Sequence, residues 1–119
     1  MGSARKPYLA GNWKMHKREE DLVAYLEEFS HHCDVPLDKM VEKVDILLAV
    51  PHVLLAASRD VFSSKGIRVA AQNFFWESQG AYTGETSALM LNELGVALSI
   101  VGHSERRKLF NEKNEDIQK

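Results

Sequence analysis

The chain has 119 residues, 45% hydrophobic and 27% charged, with a formal net charge of −2 and one cysteine, Cys33. These proportions suit one soluble domain over 1–119 and exclude an internal disulfide, a strongly basic nucleic-acid surface and an apolar run long enough to span a membrane. With a lone thiol and no stretch resembling a secretory signal, a reducing cytoplasm is the expected setting, and residues 1–6 are expected as a flexible leader.

Four short apolar runs recur along the chain. YLA at 8–10 is the first, and Leu22, Leu26, Phe29 and Cys33 then mark one face of an amphipathic helix. ILLAV at 46–50 is the second run, followed by the shorter helical stripe Leu54, Ala57 and Val61. IRVAAQ at 67–72 is the third, and the long loop NFFWESQGAYTGETS separates it from Ala88, Leu91 and Leu94, with Gly95 as the helix stop. ALSIV at 97–101 is the fourth, and Ser104 is expected to cap a last helix with Glu105 in its first turn. Runs that are apolar on both parities predict strands buried on both faces of a parallel sheet. The order βαβαβαβα is that of an α/β layer or barrel unit joined by right-handed crossovers.

In such architectures functional groups gather where strands end and helices begin. That rule selects Asn12 and Lys14 after the first strand, Asn73 after the third, and His103 and Glu105 after the fourth. Pro51 and His52, after the second, offer less. An amide, a cation, an imidazole and a carboxylate on one rim suit a small anionic carbonyl compound. Each residue also has an ordinary role: a solvated lysine, a turn-forming asparagine, a structural histidine, a glutamate favouring a helix dipole. His31, His32 and Cys33 are consecutive on a helix and point apart, so no metal site is expected. Trp13, Phe74, Phe75 and Trp76 read as packing residues, and GAYTG lacks the spacing of a dinucleotide fingerprint.

Four motifs in order, GNWKM at 11–15, QNFFW at 72–76, GAYTGETS at 80–87 and VGHSERR at 101–107, resemble the triosephosphate isomerase family. The resemblance runs from Tyr8 to the end of the chain. It implies the TIM (β/α)8 barrel fold, of which this chain covers about four βα units, a half-barrel. It also implies the interconversion of dihydroxyacetone phosphate and glyceraldehyde 3-phosphate without a cofactor. Lys14 matches the lysine that holds the substrate phosphate and offsets the enediolate charge, and Asn12 the asparagine beside it. His103 matches the electrophile that polarises the carbonyl, and Glu105 the glutamate that positions the lysine. Met15, Tyr82, Thr83, Glu85 and Arg106 match subunit-contact positions, with Glu85 and Arg106 as an ion pair bracing the loop against the fourth helix.

A complete barrel needs about 250 residues. The catalytic base, the lid and the later phosphate loops lie, in the family, beyond the fourth helix, and neither Glu77 nor Glu85 matches the base. His16 stands where the family commonly has asparagine, and the stretch between Lys14 and Pro51 is longer than usual. Two readings follow. One is an isomerase active only when the barrel is completed, for instance by a complementary C-terminal half, the complete family enzyme being a homodimer. The other is a non-catalytic half-barrel module that associates through its open sheet.

Overall fold

The computed structural model describes residues 4–119, so the first three positions of the expected leader lie outside the described residues. Lys6 donates from Nζ to Val41 O at 2.8 Å and pairs with Asp45 at 3.1 Å. Three parallel strands follow, β1 (Tyr8–Asn12), β2 (Asp45–Val50) and β3 (Arg68–Ala71), in the sheet order β1-β2-β3. The helices are α1 (Leu22–His31), α2 (Leu37–Lys43), α3 (Leu55–Phe62), α4 (Ala88–Glu93), α5 (Ser104–Leu109) and α6 (Asn114–Gln118).

The register sets Asn12 beside Ala49, and Ala49 beside Ala70. Trp13 extends the ladder by one bond, its N–H donating to Ala49 O at 2.9 Å. The residues that leave the three strands therefore emerge on a single rim. Trp13 itself turns inward, edge-on to Tyr25 at 4.8 Å and to Phe62 at 5.9 Å. Below it lies a core of Leu22, Ile46, Val50, Leu55, Phe62 and Ile67, all fully buried.

β2 and β3 are buried as their composition predicts, but Tyr8, Leu9 and Ala10 of β1 are exposed. The reason is topological: among the described residues β1 pairs only with β2. The fourth run differs from expectation more sharply. Instead of a strand over 97–101, the described residues show one parallel bridge, Ala71 to Ser99. Ala71 N–H donates to Leu98 O and Ile100 N–H to Ala71 O, both at 2.9 Å. β3 ends at Ala71, so this segment finds a partner for one residue and no ladder grows.

Two helical details also change. One helix was expected between the first two strands, and the structure has two. Leu37, Met40, Val41 and Val44 recur at helical spacing after Pro36 and pack on the core, which makes α2. The buried face of α3 is Leu55, Ser58 and Phe62, with Leu54 buried in the turn before it, while Ala57 and Val61 are only half-buried. Ser58 interrupts the apolar stripe in the sequence, yet it lies on the side that the large Phe62 ring draws into the core. Gly95 does end α4, at φ +85, with Gly95 N–H donating to Asn92 O at 3.0 Å and Val96 N–H to Leu91 O at 2.9 Å. That bond pattern and the burial of Leu91 and Val96 make a Schellman stop.

Candidate active site

The first loop is held against its own conformational preference. Lys14 adopts φ +54, a left-handed value that costs a non-glycine residue about 1–2 kcal/mol. Two side chains compensate. Asn12 Oδ1 accepts the Lys14 N–H at 2.9 Å, an Asx turn, and Gln72 Nε2 donates to Lys14 O at 2.7 Å. Gln72 Nε2 also lies 3.2 Å from Asn12 Oδ1. Asn12 thus shapes the turn at the rim, its Oδ1 accepting from both the Lys14 N–H and the Gln72 amide.

The backbone turn sends the Lys14 side chain across the rim to Glu105, with Nζ 2.7 Å from Oε1. Both side chains are about half exposed, so the pair adds little to stability and its effect is positional. The hydrogen bond from Lys14 holds the Glu105 carboxyl below the ordinary carboxylate range, outweighing the opposing effect of desolvation.

His103, not Ser104, caps α5. Gly102 sits at φ +67, where a Cβ would meet Ile117 Cδ1 at 2.7 Å, and it delivers His103 in an extended conformation before α5. Nδ1 of His103 then accepts the Glu105 N–H at 3.1 Å. Ser104 comes one position too late for this role, being already helical. With Nδ1 accepting a main-chain donor, the ring proton of the neutral imidazole resides on Nε2. Glu105 Oε2 lies 3.7 Å from Nδ1, outside hydrogen-bond range. The rim therefore presents an ammonium group and a neutral N–H donor, the two groups that a developing oxyanion on an anionic substrate requires.

Of the residues selected from sequence, Lys14 and Glu105 meet directly, with Asn12 and His103 each one bond away. Asn73 contributes only its main-chain carbonyl, to His52 Nε2 at 2.8 Å. Gln72, one residue earlier, is the side chain that the sequence rule missed. Its signal was a long polar residue closing the apolar run IRVAA. A cavity of about 490 Å³ between β1 and α1, lined by Leu9, Tyr25, Phe29, Cys33 and Met40, includes none of the rim residues.

The long loop is organised as expected of a projecting element. Phe75 N–H donates to Thr86 O at 2.8 Å and closes its base, and Glu85 N–H donates to Tyr82 O at 3.0 Å at its tip. Tyr82 packs on Phe75 with ring centroids 4.5 Å apart, while Thr83 and Glu85 are exposed. Met15, on the first loop, is 92% exposed. The expected pairing of Glu85 with Arg106 is not formed within the chain. Arg106 instead bonds Glu112 Oε2 at 2.9 Å, because the chain reverses at Asn111 (φ +54) and returns Glu112 to α5.

The family model for triosephosphate isomerase matches residues 7–119. The triosephosphate isomerases of Solibacter usitatus and Caldanaerobacter subterraneus are each 44% identical over 115 residues, covering 97% of this chain and 44% of each relative. The chain thus spans less than half the length of these relatives. A crystal structure of triosephosphate isomerase from Bartonella henselae superposes with a TM-score of 0.79 at 33% identity, over 94% of this chain and 44% of that one. This is the barrel fold, represented by its N-terminal part. On the motif order, the fold and the match over 7–119, the chain belongs to the triosephosphate isomerase family.

Proposed function

We propose that this chain carries the cation-and-electrophile side of a triosephosphate isomerase active site, acting on dihydroxyacetone phosphate and glyceraldehyde 3-phosphate in the cytoplasm. The observation that supports it is the joint placement of Lys14 Nζ, 2.7 Å from Glu105, and of His103 as a neutral donor at the same rim. Removing a proton beside a carbonyl moves negative charge onto the carbonyl oxygen. Nε2–H of His103 donates to that oxygen and Lys14 neutralises charge on the phosphate and the enediolate. Asn12 holds the loop and offers a second donor. The base that takes the carbon-bound proton belongs to the part of the barrel that the relatives have beyond these residues.

Met15, Tyr82, Thr83, Glu85 and Arg106 form the contact with a second subunit, the projecting loop docking near the partner's first loop. The test is to continue this chain with the C-terminal part of the Solibacter usitatus relative and assay isomerisation in both directions. Turnover is expected in the completed barrel and not in the 119 residues alone. Lys14→Ala and His103→Gln should each reduce kcat/KM by about 10²-fold or more. A completed barrel that tolerates both substitutions would overturn the assignment.

A further inference from the structure

We infer that Gln72 is a positioning residue for the site, holding the Lys14 peptide in the conformation that points its ammonium group at Glu105. For its place in the reaction the inference rests on the isomerase reading, whereas its geometry does not. The carboxamide leaves the rim directly after β3, and its orientation is fixed by what it faces. Lys14 O at 2.7 Å and Ala49 O at 3.4 Å are carbonyls that only accept, so the NH2 group must be on that side. The same NH2 reaches Asn12 Oδ1 at 3.2 Å, which already accepts the Lys14 N–H. The amide and the carbonyl of Lys14 are thereby held from two directions.

Without Gln72 the Asx turn alone would have to keep Lys14 at φ +54. Relaxation toward negative φ rotates the Cα–Cβ bond and carries Nζ away from Glu105. An ammonium group on a four-carbon stem has many rotamers, so a fixed backbone is what turns a mobile charge into a directed one. Gln72 therefore acts on chemistry through Lys14 and touches no reacting atom. A glutamine whose task was only to satisfy a strand end would have no reason to bond Lys14, a residue held at left-handed φ on the rim.

The experiment reads the carboxyl titration of Glu105 by carbon-13 NMR, in the 119-residue chain and in the completed barrel. Among the described residues, Lys14 and His103 are the charged or titratable groups that face this carboxyl. Gln72→Met is expected to raise the Glu105 titration toward the ordinary carboxylate value, as Lys14→Met should, and the double variant should show no further change. Methyl resonances of Val50 and Ala71 report whether the sheet beneath the site is intact. If they persist and Glu105 titrates as in the parent, the proposal is wrong. If Gln72→Met loses the fold, Gln72→Asn decides, because it keeps the amide but falls one carbon short. The same rise of the Glu105 titration supports the proposal, and its absence overturns it. In the completed barrel Gln72→Met should lower kcat by about 10-fold or more, with a smaller change in KM. A barrel inactive even with the parent sequence would sink the isomerase reading while leaving the titration result to judge Gln72.

Discussion

The His52 ring lies 3.0 Å from the Thr86 hydroxyl through Nδ1, while its Nε2 lies 2.8 Å from Asn73 O. One side chain from the turn after β2 thus ties together both ends of the loop that carries Tyr82, Thr83 and Glu85. Asn73 O can only accept, so Nε2 carries the proton and Nδ1 accepts from Thr86. His52→Ala should cost about 1–3 kcal/mol for two half-buried hydrogen bonds. It should also accelerate amide hydrogen exchange across residues 75–86 more than in α3. Uniform exchange across both would show that the ring does not clamp the loop.

Phe62 is fully buried and meets Trp13 and Tyr25 edge-on, linking the core to the first loop. Phe62→Ala should cost about 3–5 kcal/mol. Set against a typical total of about 5–15 kcal/mol, that is a large share of the stability of this chain. Urea denaturation of the two proteins gives the difference directly.

The capping role of His103 can be separated from its chemistry. Asparagine is a favoured N-cap, so His103→Asn should keep α5 while removing the imidazole. His103→Ala should lose about 0.5–2 kcal/mol of stability, the range for a lost cap. Thermal melts that fail to distinguish the two variants would show that the Glu105 N–H does not need its partner.

Glu105 gives a pH dependence with a definite sign. Its folded carboxyl is held low by the Lys14 hydrogen bond, so the unfolded chain binds the proton more readily. The resulting stabilisation is present above the ordinary glutamate pKa, about 4.3, and fades as pH falls through the lower folded value. The stability difference between the parent and Glu105→Gln should therefore be found at neutral pH and vanish in acid. It should also shrink in high salt, since the pair is half exposed.

Tyr8 and Leu9, 59% and 49% exposed on a strand with an open edge, favour association of the 119-residue chain. Sedimentation at micromolar concentration should show oligomers, and Leu9→Lys should shift them toward monomer. A compact monomer that binds no hydrophobic dye would contradict this. Such association is what the non-catalytic reading would build upon, and a completed barrel should lose it.

Much of this arrangement could be read from the residues. Apolar runs without alternation located β2 and β3, and Gly95 located the end of α4, because burial and left-handed backbone leave clear marks on composition. The rim rule brought Lys14, His103 and Glu105 to one edge because polar side chains directly after apolar runs are conspicuous. What escaped depended on contacts distant in sequence. The fourth run is as apolar as the others, yet its ladder depends on how far β3 extends, and Ala71 is its last strand residue. Ser104 looked like the cap because serine is a common one, but the turn at Gly102 presents the imidazole first. Gln72 was hidden inside its strand run, since only the fold reveals that its amide faces Lys14. Arg106 is expected to pair with Glu85, but the reversal at Asn111 gives it to Glu112.

The sheet order repeats the chain order, each strand laid beside the one made before it. In chain order the rim residues are therefore supplied from one side of the sheet to the other. Lys14 emerges first, Gln72 follows to fix its backbone, and His103 and Glu105 arrive last to receive its charge. Every atom of that polar cluster lies within the described residues, and the contacts among them need nothing C-terminal to Lys119. The orientation of the lysine is thus a property of these residues alone, set by three segments that the parallel sheet brings to one edge.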